Sequence, residues 1–295
     1  MQFGIEALGT LAAVCDEGTF AAAAARLHIT TGAVSQRIAA LERQVGHPVV
    51  ARTQPAMATE IGHELLQLAR QSLLLQQETA ARLAQTLHAE DPAVRVTIAV
   101  NADSLSTWFR PVVQTIGAEG RWLLDLRIED QDRTAHLLRS GAALAAVTTD
   151  PEPGAGCTVE QLGTMRYYPV CSPAIAPQPD EDLSAYLSST PMLQFDSLDL
   201  LPKHFMDQFD VKTPPPAHFI PSNREYFDAV CLGLGWSVLP EGQLQAALET
   251  EDLVLLHPTA RVDVDLYWQR WRLQSATLDR ITDLVRRAAT SSLHN

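Results

Sequence analysis

The run from Thr19 to Arg43, TFAAAAARLHITTGAVSQRIAALER, constrains this chain more than any other stretch, because it reads as two helices joined by a tight turn. Thr19 is placed to cap a short alanine-rich helix that runs to about Leu27, its hydroxyl oxygen taking one of the free N–H groups. A second helix starts at Thr30 or Thr31 and repeats Val34, Ile38 and Leu41 at helical spacing. Those three residues form one apolar face, which leaves Thr31, Ser35, Gln36 and Arg37 on or near the other. Small residues such as Ala22, Ala23 and Ala25 let two helices cross closely at a steep angle, as a helix-turn-helix requires. Short hydroxyls, an amide and a guanidinium on the second helix suit the width of the DNA major groove. An alanine-rich helical hairpin with no nucleic-acid role satisfies the same spacing.

Gly18-Thr19-Phe20, Ala23-Ala24, Leu27, Thr30, Ala33-Val34-Ser35, Ile38, Leu41-Glu42, Val45-Gly46 and Arg52 together resemble the winged helix-turn-helix of LysR-type transcriptional regulators. The match runs without a gap over about the first sixty residues. It implies DNA-reading positions at Thr31, Gly32, Ser35, Gln36 and Arg52, with Arg37 beside them. Many members of the family carry Pro at the position of Gly32 and Arg at that of Gln36, a departure that bears on the operator sequence rather than on DNA binding. Independently of the resemblance, Pro48 to Arg52 is short and β-prone and Gln54-Pro55 turns it back. That makes a small wing, with Arg52 at its base as a phosphate contact.

Charge sets a limit on this reading. The formal net charge is −13, which argues against a protein that coats nucleic acid nonspecifically. Residues 1–60 hold only Arg26, Arg37, Arg43 and Arg52 against Glu6, Asp16, Glu17, Glu42 and Glu60. Binding must therefore rest on a few placed arginines, helix N-termini and the avidity of a dimer, with a steep salt dependence. Cys15, Cys157, Cys171 and Cys231 have no paired or metal-ligand spacing and read as reduced, mostly buried thiols of a cytoplasmic protein. No apolar run reaches membrane-spanning length and no export signal is legible.

Thr59 is predicted to cap a long helix reaching Leu87 or His88, roughly 40 Å of it. Leu66, Leu73, Ala80 and Leu87 recur at one heptad site, and Ala69, Gln76 and Leu83 at the other, which predicts a seam for a partner helix. Ala89 to Pro92 is the linker that follows. From Val94 onward strands and helices alternate, and repeated βα units imply a mostly parallel sheet. A second set of such units follows. The chain then returns through Val264 to Arg272, a strand, and Ser275 to Ala289, a closing helix. Two α/β lobes joined by two crossings, near Glu160–Gly163 and Pro258–Val264, are the architecture of periplasmic-type binding proteins. The predicted fold class is thus α/β: a winged helix-turn-helix at 1–58, a linker and dimerisation helix at 59–91, and an effector-binding domain at 92–295. Lobe I covers about 92–161 and 263–295, and lobe II about 162–262.

In such sheets ligands sit beyond the carboxyl ends of the strands. That rim gathers Asn101 to Ser104, Glu129-Asp130 and Thr148-Thr149, and Asn223, at a helix start in lobe II, is added to the set. Carboxylates from Asp103, Glu129 and Asp130 favour a cationic ligand. Hydroxyls and N–H groups at a helix start, from Ser104, Ser106 or Thr107, would hold an anionic end. An α-amino acid with a basic side chain carries both charges. Each acid alone could equally be a helix cap. NADSLSTWF (101–109), GTMRY (163–167), LGLGW (232–236) and YWQRW (267–271) resemble the LysG/ArgP-type branch of the family. Members of that branch sense lysine, arginine or related basic amino acids and switch on their exporters, and the family's ligand hydroxyl falls near Ser104.

The predicted function is that of a DNA-binding transcriptional regulator controlled by a small metabolite. Its partners are double-stranded DNA, a basic amino acid and, as the resemblance implies, RNA polymerase and further copies in a homodimer or homotetramer. No cofactor or metal is expected. An enzyme on a two-lobed scaffold finds no support, since the chain lacks G-x-S-x-G, a P-loop, H-E-x-x-H and a Rossmann glycine fingerprint. A nucleoid or replication-control protein that binds DNA without an effector is the remaining alternative.

Overall fold

A computed structural model describes residues 1–51, 53–87, 93–128, 134, 137–138 and 140–295. Arg52, Glu129 and Asp130 lie outside the described residues, as does the Ala89 to Pro92 linker.

The head consists of α1 (Ile5–Glu17), α2 (Phe20–Arg26) and α3 (Thr31–Val45). The cap read at Thr19 is made, its Oγ1 accepting the Ala22 N–H at 3.1 Å, and Thr30 caps α3 in the same way, its Oγ1 accepting the Ala33 N–H at 3.1 Å. Leu11, Val14, Val34, Ile38 and Leu41 close the core. The helices approach over Ala23 and Ala24, whereas Ala25 is exposed. The wing is β1 (Val50–Ala51) paired antiparallel with β2 (Met57–Ala58). It docks on the α1–α2 turn at Gly18, whose φ is +68° and whose carbonyl accepts the Ala56 N–H at 2.7 Å. A Cβ at Gly18 would stand 2.9 Å from Pro55 Cβ, so both backbone and space require glycine there.

Helix α4 (Glu60–Leu87) has 28 residues and is about 42 Å long. Thr59 Oγ1 caps it through the Gly62 N–H at 3.0 Å. Its apolar pattern corrects the expected seam. Leu66 and Ala69 are buried in the core of the head itself, and Leu73 packs against the same cluster. The long apolar side chains left in solvent are Ile61, Leu68, Leu75, Leu83 and Leu87. Ile61, Leu68 and Leu75 keep the heptad spacing, displaced to a neighbouring face. The sequence shows a period; only the packed head shows which face is already spent.

Further along α4, Leu74 joins the core of the next domain and Glu78 is buried. The Glu78 carboxylate accepts the Thr277 N–H at 3.0 Å and the Ser275 hydroxyl at 2.5 Å, at the N-terminus of α11 (Ala276–Ser292). A carboxylate at a helix N-terminus is favoured by the exposed N–H groups and the helix dipole. Arg70 adds a second tie, bonding Asp16 of α1 and the Ser140 carbonyl. Glu78→Ala strands a buried N–H and is expected to cost about 2–3 kcal/mol. Differential scanning calorimetry should show a loss of about 5 °C or more; an unchanged midpoint would rule out this coupling of linker helix to domain.

The effector domain begins with β3 (Val94–Val100), α5 (Ala102–Ser106), α6 (Arg110–Glu119), β4 (Trp122–Ile128) and β5 (Ala145–Thr148). Strand β3 pairs parallel with β4 on one side and β5 on the other. The polar NADSLS segment before Trp108 contains the one-turn helix α5. Next comes β6 (Cys157–Cys171), a single 15-residue strand running through the expected crossing rather than starting after it. Lobe II then adds α7 (Leu183–Ser189), β7 (Met192–Gln194), α8 (Leu201–Asp207), β8 (Ala217–Phe219), α9 (Asn223–Cys231), β9 (Ser237–Pro240), α10 (Glu241–Glu249) and β10 (Val254–Leu255). Strand β11 (Val262–Trp271) returns antiparallel along β6 and β5. Its register against β6 shifts between Leu266 and Tyr267, opposite Gly163. A bulge beside a glycine is where paired strands bend, and it marks the junction of the lobes.

Candidate functional site

On α3 the apolar face is buried by α1, and Thr31, Gly32, Ser35 and Gln36 are exposed as one stripe along the opposite side. Arg37 departs from the expected set. Its guanidinium reaches back to α1, where it pairs with Glu6 at 2.8 Å and lies 3.5 Å from the Thr10 hydroxyl. Arg26 is likewise tied to Asp16 and Glu17. The head therefore spends two of its four arginines on its own acids, which places more of any DNA contact on the α3 stripe and the helix N-terminus.

In the cleft the expected residues divide by task. Asn101 caps α5, its Oδ1 accepting the Ser104 N–H at 2.7 Å. Because Asn101 takes that role, the Asp103 carboxylate is not a cap. It accepts instead from Asn223 Nδ2 at 3.4 Å, across from lobe II, and from the Tyr167 hydroxyl. Asn223 also donates to Ser106 Oγ at 3.3 Å, and Gln243 Nε2 donates to the same oxygen at 2.7 Å. Ser222, which precedes α9, makes no cap hydrogen bond and pairs with Glu225, while Asn223 is directed to the cleft. Ser104 is fully buried and its hydroxyl has no partner among the described residues. Thr148 is spent on a turn, its hydroxyl oxygen accepting the Asp150 N–H at 3.1 Å.

Two acids define the electrostatics. Burial pushes the Asp103 carboxyl up to about 6, the charge of Asp199 adds to the rise, and the hydrogen bonds from Tyr167 and Asn223 oppose it. Asp199 comes from lobe II and is also raised, first by burial, although it accepts the Phe195 and Leu201 N–H groups at 3.1 and 3.0 Å. The negative charges of Asp103 and Asp199 both reach the buried Tyr226 hydroxyl, which burial already holds above the usual phenol range. Asp199 and Tyr167 were not in the expected set. Nothing in DSLDL marks Asp199, because its position depends on a turn closed by Asp196. Tyr167 ends the GTMRY run and was legible only as part of a motif.

A helix-turn-helix head on one long helix, followed by two lobes that meet at half-buried carboxylates, defines a ligand-responsive DNA-binding regulator. Residues 5–63 match the family model for the bacterial regulatory helix-turn-helix protein, lysR family, and residues 89–290 match the LysR substrate binding domain. The chain belongs to the LysR family. It is 44% identical over 288 residues to the lysine export transcriptional regulatory protein LysG of Corynebacterium efficiens, covering 97% of this chain and 98% of that protein. Among solved structures it is similar to ArgP from Mycobacterium tuberculosis, with a TM-score of 0.87 and 40% identity over the whole of both chains. It is also similar to full-length LysG from Corynebacterium glutamicum with bound effector arginine, at a TM-score of 0.79 and 40% identity, covering 99% of this chain and 100% of that one. No helix among the described residues is long and apolar enough to cross a membrane.

Proposed function

We propose that this chain is a transcriptional regulator that binds a basic amino acid, with arginine and lysine as the leading candidates, and controls a gene for amino acid export. The observation that carries the reading is Asp103, a half-buried carboxylate with no capping duty, facing lobe II at Asn223. A guanidinium or ammonium placed there offsets the cost of burying that charge, which a neutral ligand does not. The unpartnered Ser104 hydroxyl beside it suits the carboxylate end of the same ligand. Relatives named for lysine export, and one holding arginine, agree with that chemistry. The cleft acts by binding without turnover: a ligand that touches both lobes favours one closure state over the other, and only that difference shifts the protein.

DNA is read by Thr31, Gly32, Ser35 and Gln36, with Arg52 from the wing as a phosphate contact. Two heads are brought together along Ile61, Leu68 and Leu75 of α4, and the assembled dimer or tetramer works with RNA polymerase. A mobility-shift titration on DNA upstream of the protein's own gene tests both halves. The expected result is one discrete complex on a partly palindromic segment, altered in affinity or mobility by arginine or lysine. Diffuse binding without a preferred site would favour a nucleoid role, and no response to either amino acid would reject the ligand.

A further inference from the structure

A cavity of about 250 Å3 adjoins the acidic cleft at Ser106, between the α5–α6 segment of lobe I, strand β6, the start of α10 in lobe II and the C-terminal tail. Its walls hold more unsatisfied donor capacity than acceptor capacity. Trp108 is 96% buried by its 4% exposure, and its indole Nε1 has no hydrogen-bond partner among the described residues. Arg166 Nε is also buried and without a hydrogen bond among the described residues, its one tie being a long ion pair with Asp263 at 3.8 Å. That acid is already taken by Arg261, whose Nε donates to both carboxylate oxygens at 2.9 and 3.2 Å. The acid in the wall, Glu241, is paired with His294 at 2.6 Å. Arg110, also in the wall, has no acidic partner among the described residues. The acids here are therefore held at short range by other partners, while Arg166 keeps only a long ion pair and Arg110 and the indole N–H have none among the described residues, in a chain whose overall charge is negative.

We propose that this cavity is a second ligand site, beside the effector cleft, for a small organic dicarboxylate held by Arg166, Arg110 and the Trp108 indole. Carboxylates match guanidinium donors in geometry as well as charge, and an indole N–H donates but never accepts. The volume falls below the roughly 300–1,000 Å3 of sites for drug-sized ligands, which excludes a nucleotide and leaves room for a metabolite of a few carbons.

Fluorine NMR of the full-length protein carrying 5-fluorotryptophan at its five tryptophans reads the site directly. Trp108→Phe assigns the resonance. Succinate is titrated against sodium chloride at matched ionic strength, with arginine held saturating so that the cleft is occupied throughout. The expected result is a saturable shift of the Trp108 resonance with succinate and none with chloride, weakened at least tenfold in Arg166→Gln. Absence of a saturable shift overturns the proposal. So does an equal shift in Arg166→Gln, provided its other resonances stay in place. If that variant disturbs all the resonances, Arg110→Gln on the exposed rim is judged by the same two outcomes.

Discussion

Asp103→Asn is expected to weaken arginine binding about 100-fold or more in calorimetric titration while raising the melting temperature of the unliganded protein. The two effects have one origin. In the folded chain the carboxyl titrates near 6, against 3.8 for the ordinary group, chiefly because it is buried. The native state thus holds a proton that the unfolded state has lost between about pH 4 and 6, so stability falls as pH rises through that window. Above it the full penalty is present, on the order of 2–3 kcal/mol. Asparagine is nearly isosteric, can still accept from Asn223 and Tyr167 through its amide oxygen, and carries no charge to bury. The unliganded fold gains; the cation loses its counter-charge, a deficit of about 3 kcal/mol in a desolvated site. The same carboxyl gives the wild type a pH signature. Arginine keeps its charge throughout, so its affinity should be level above about pH 7 and roughly tenfold lower at about pH 5, where most Asp103 is protonated. The asparagine variant should show a level profile. If Asp103→Asn bound arginine as tightly as the parent, the cleft would be recognising something other than positive charge.

The head was the most legible part of the chain because its information is local. Caps lie three residues from the N–H groups they serve, and Val34, Ile38 and Leu41 repeat at a period that needs no knowledge of the rest of the fold. Residues that act across the fold were read less well. The exposed stripe of α4 depends on how much of that helix the head has already buried, so Leu66 and Ala69 were assigned to a partner and belong to the core. Arg37 sits on a helix face that looks free in a helical projection until Glu6 of α1 is placed beside it. Asp103 was found from its strand-end position alone, yet its distinction from a helix cap required seeing Asn101 take that role. Asp199 arrives from a turn 96 positions later in the numbering, and no pattern links the two acids before the lobes close.

The double variant Ser35→Glu with Gln36→Glu is expected to lower operator affinity at least 100-fold and to leave everything else intact. Both side chains are exposed on α3, opposite Val34 and Ile38, and neither makes a hydrogen bond to another described side chain. Substitutions at such positions change stability by about 0.5 kcal/mol or less, so melting temperature, dimer mass and arginine affinity should match the parent. DNA binding has no comparable reserve. Two carboxylates facing a phosphate-lined groove oppose the term that supplies most nonspecific affinity, and they remove a hydroxyl and an amide capable of reading base edges. Two of the head's four arginines cannot offset this, since Arg26 and Arg37 are held by Asp16, Glu17 and Glu6. Arg37→Gln is the informative contrast. It removes one positive charge from the same helix, but one directed at α1, so it should cost the head about 1 kcal/mol or less and change operator affinity only a few-fold. The ranking of the two variants decides which face of α3 enters the groove. A larger loss from Arg37→Gln than from the paired glutamates would put the Thr31–Gln36 stripe in solvent and turn the helix around.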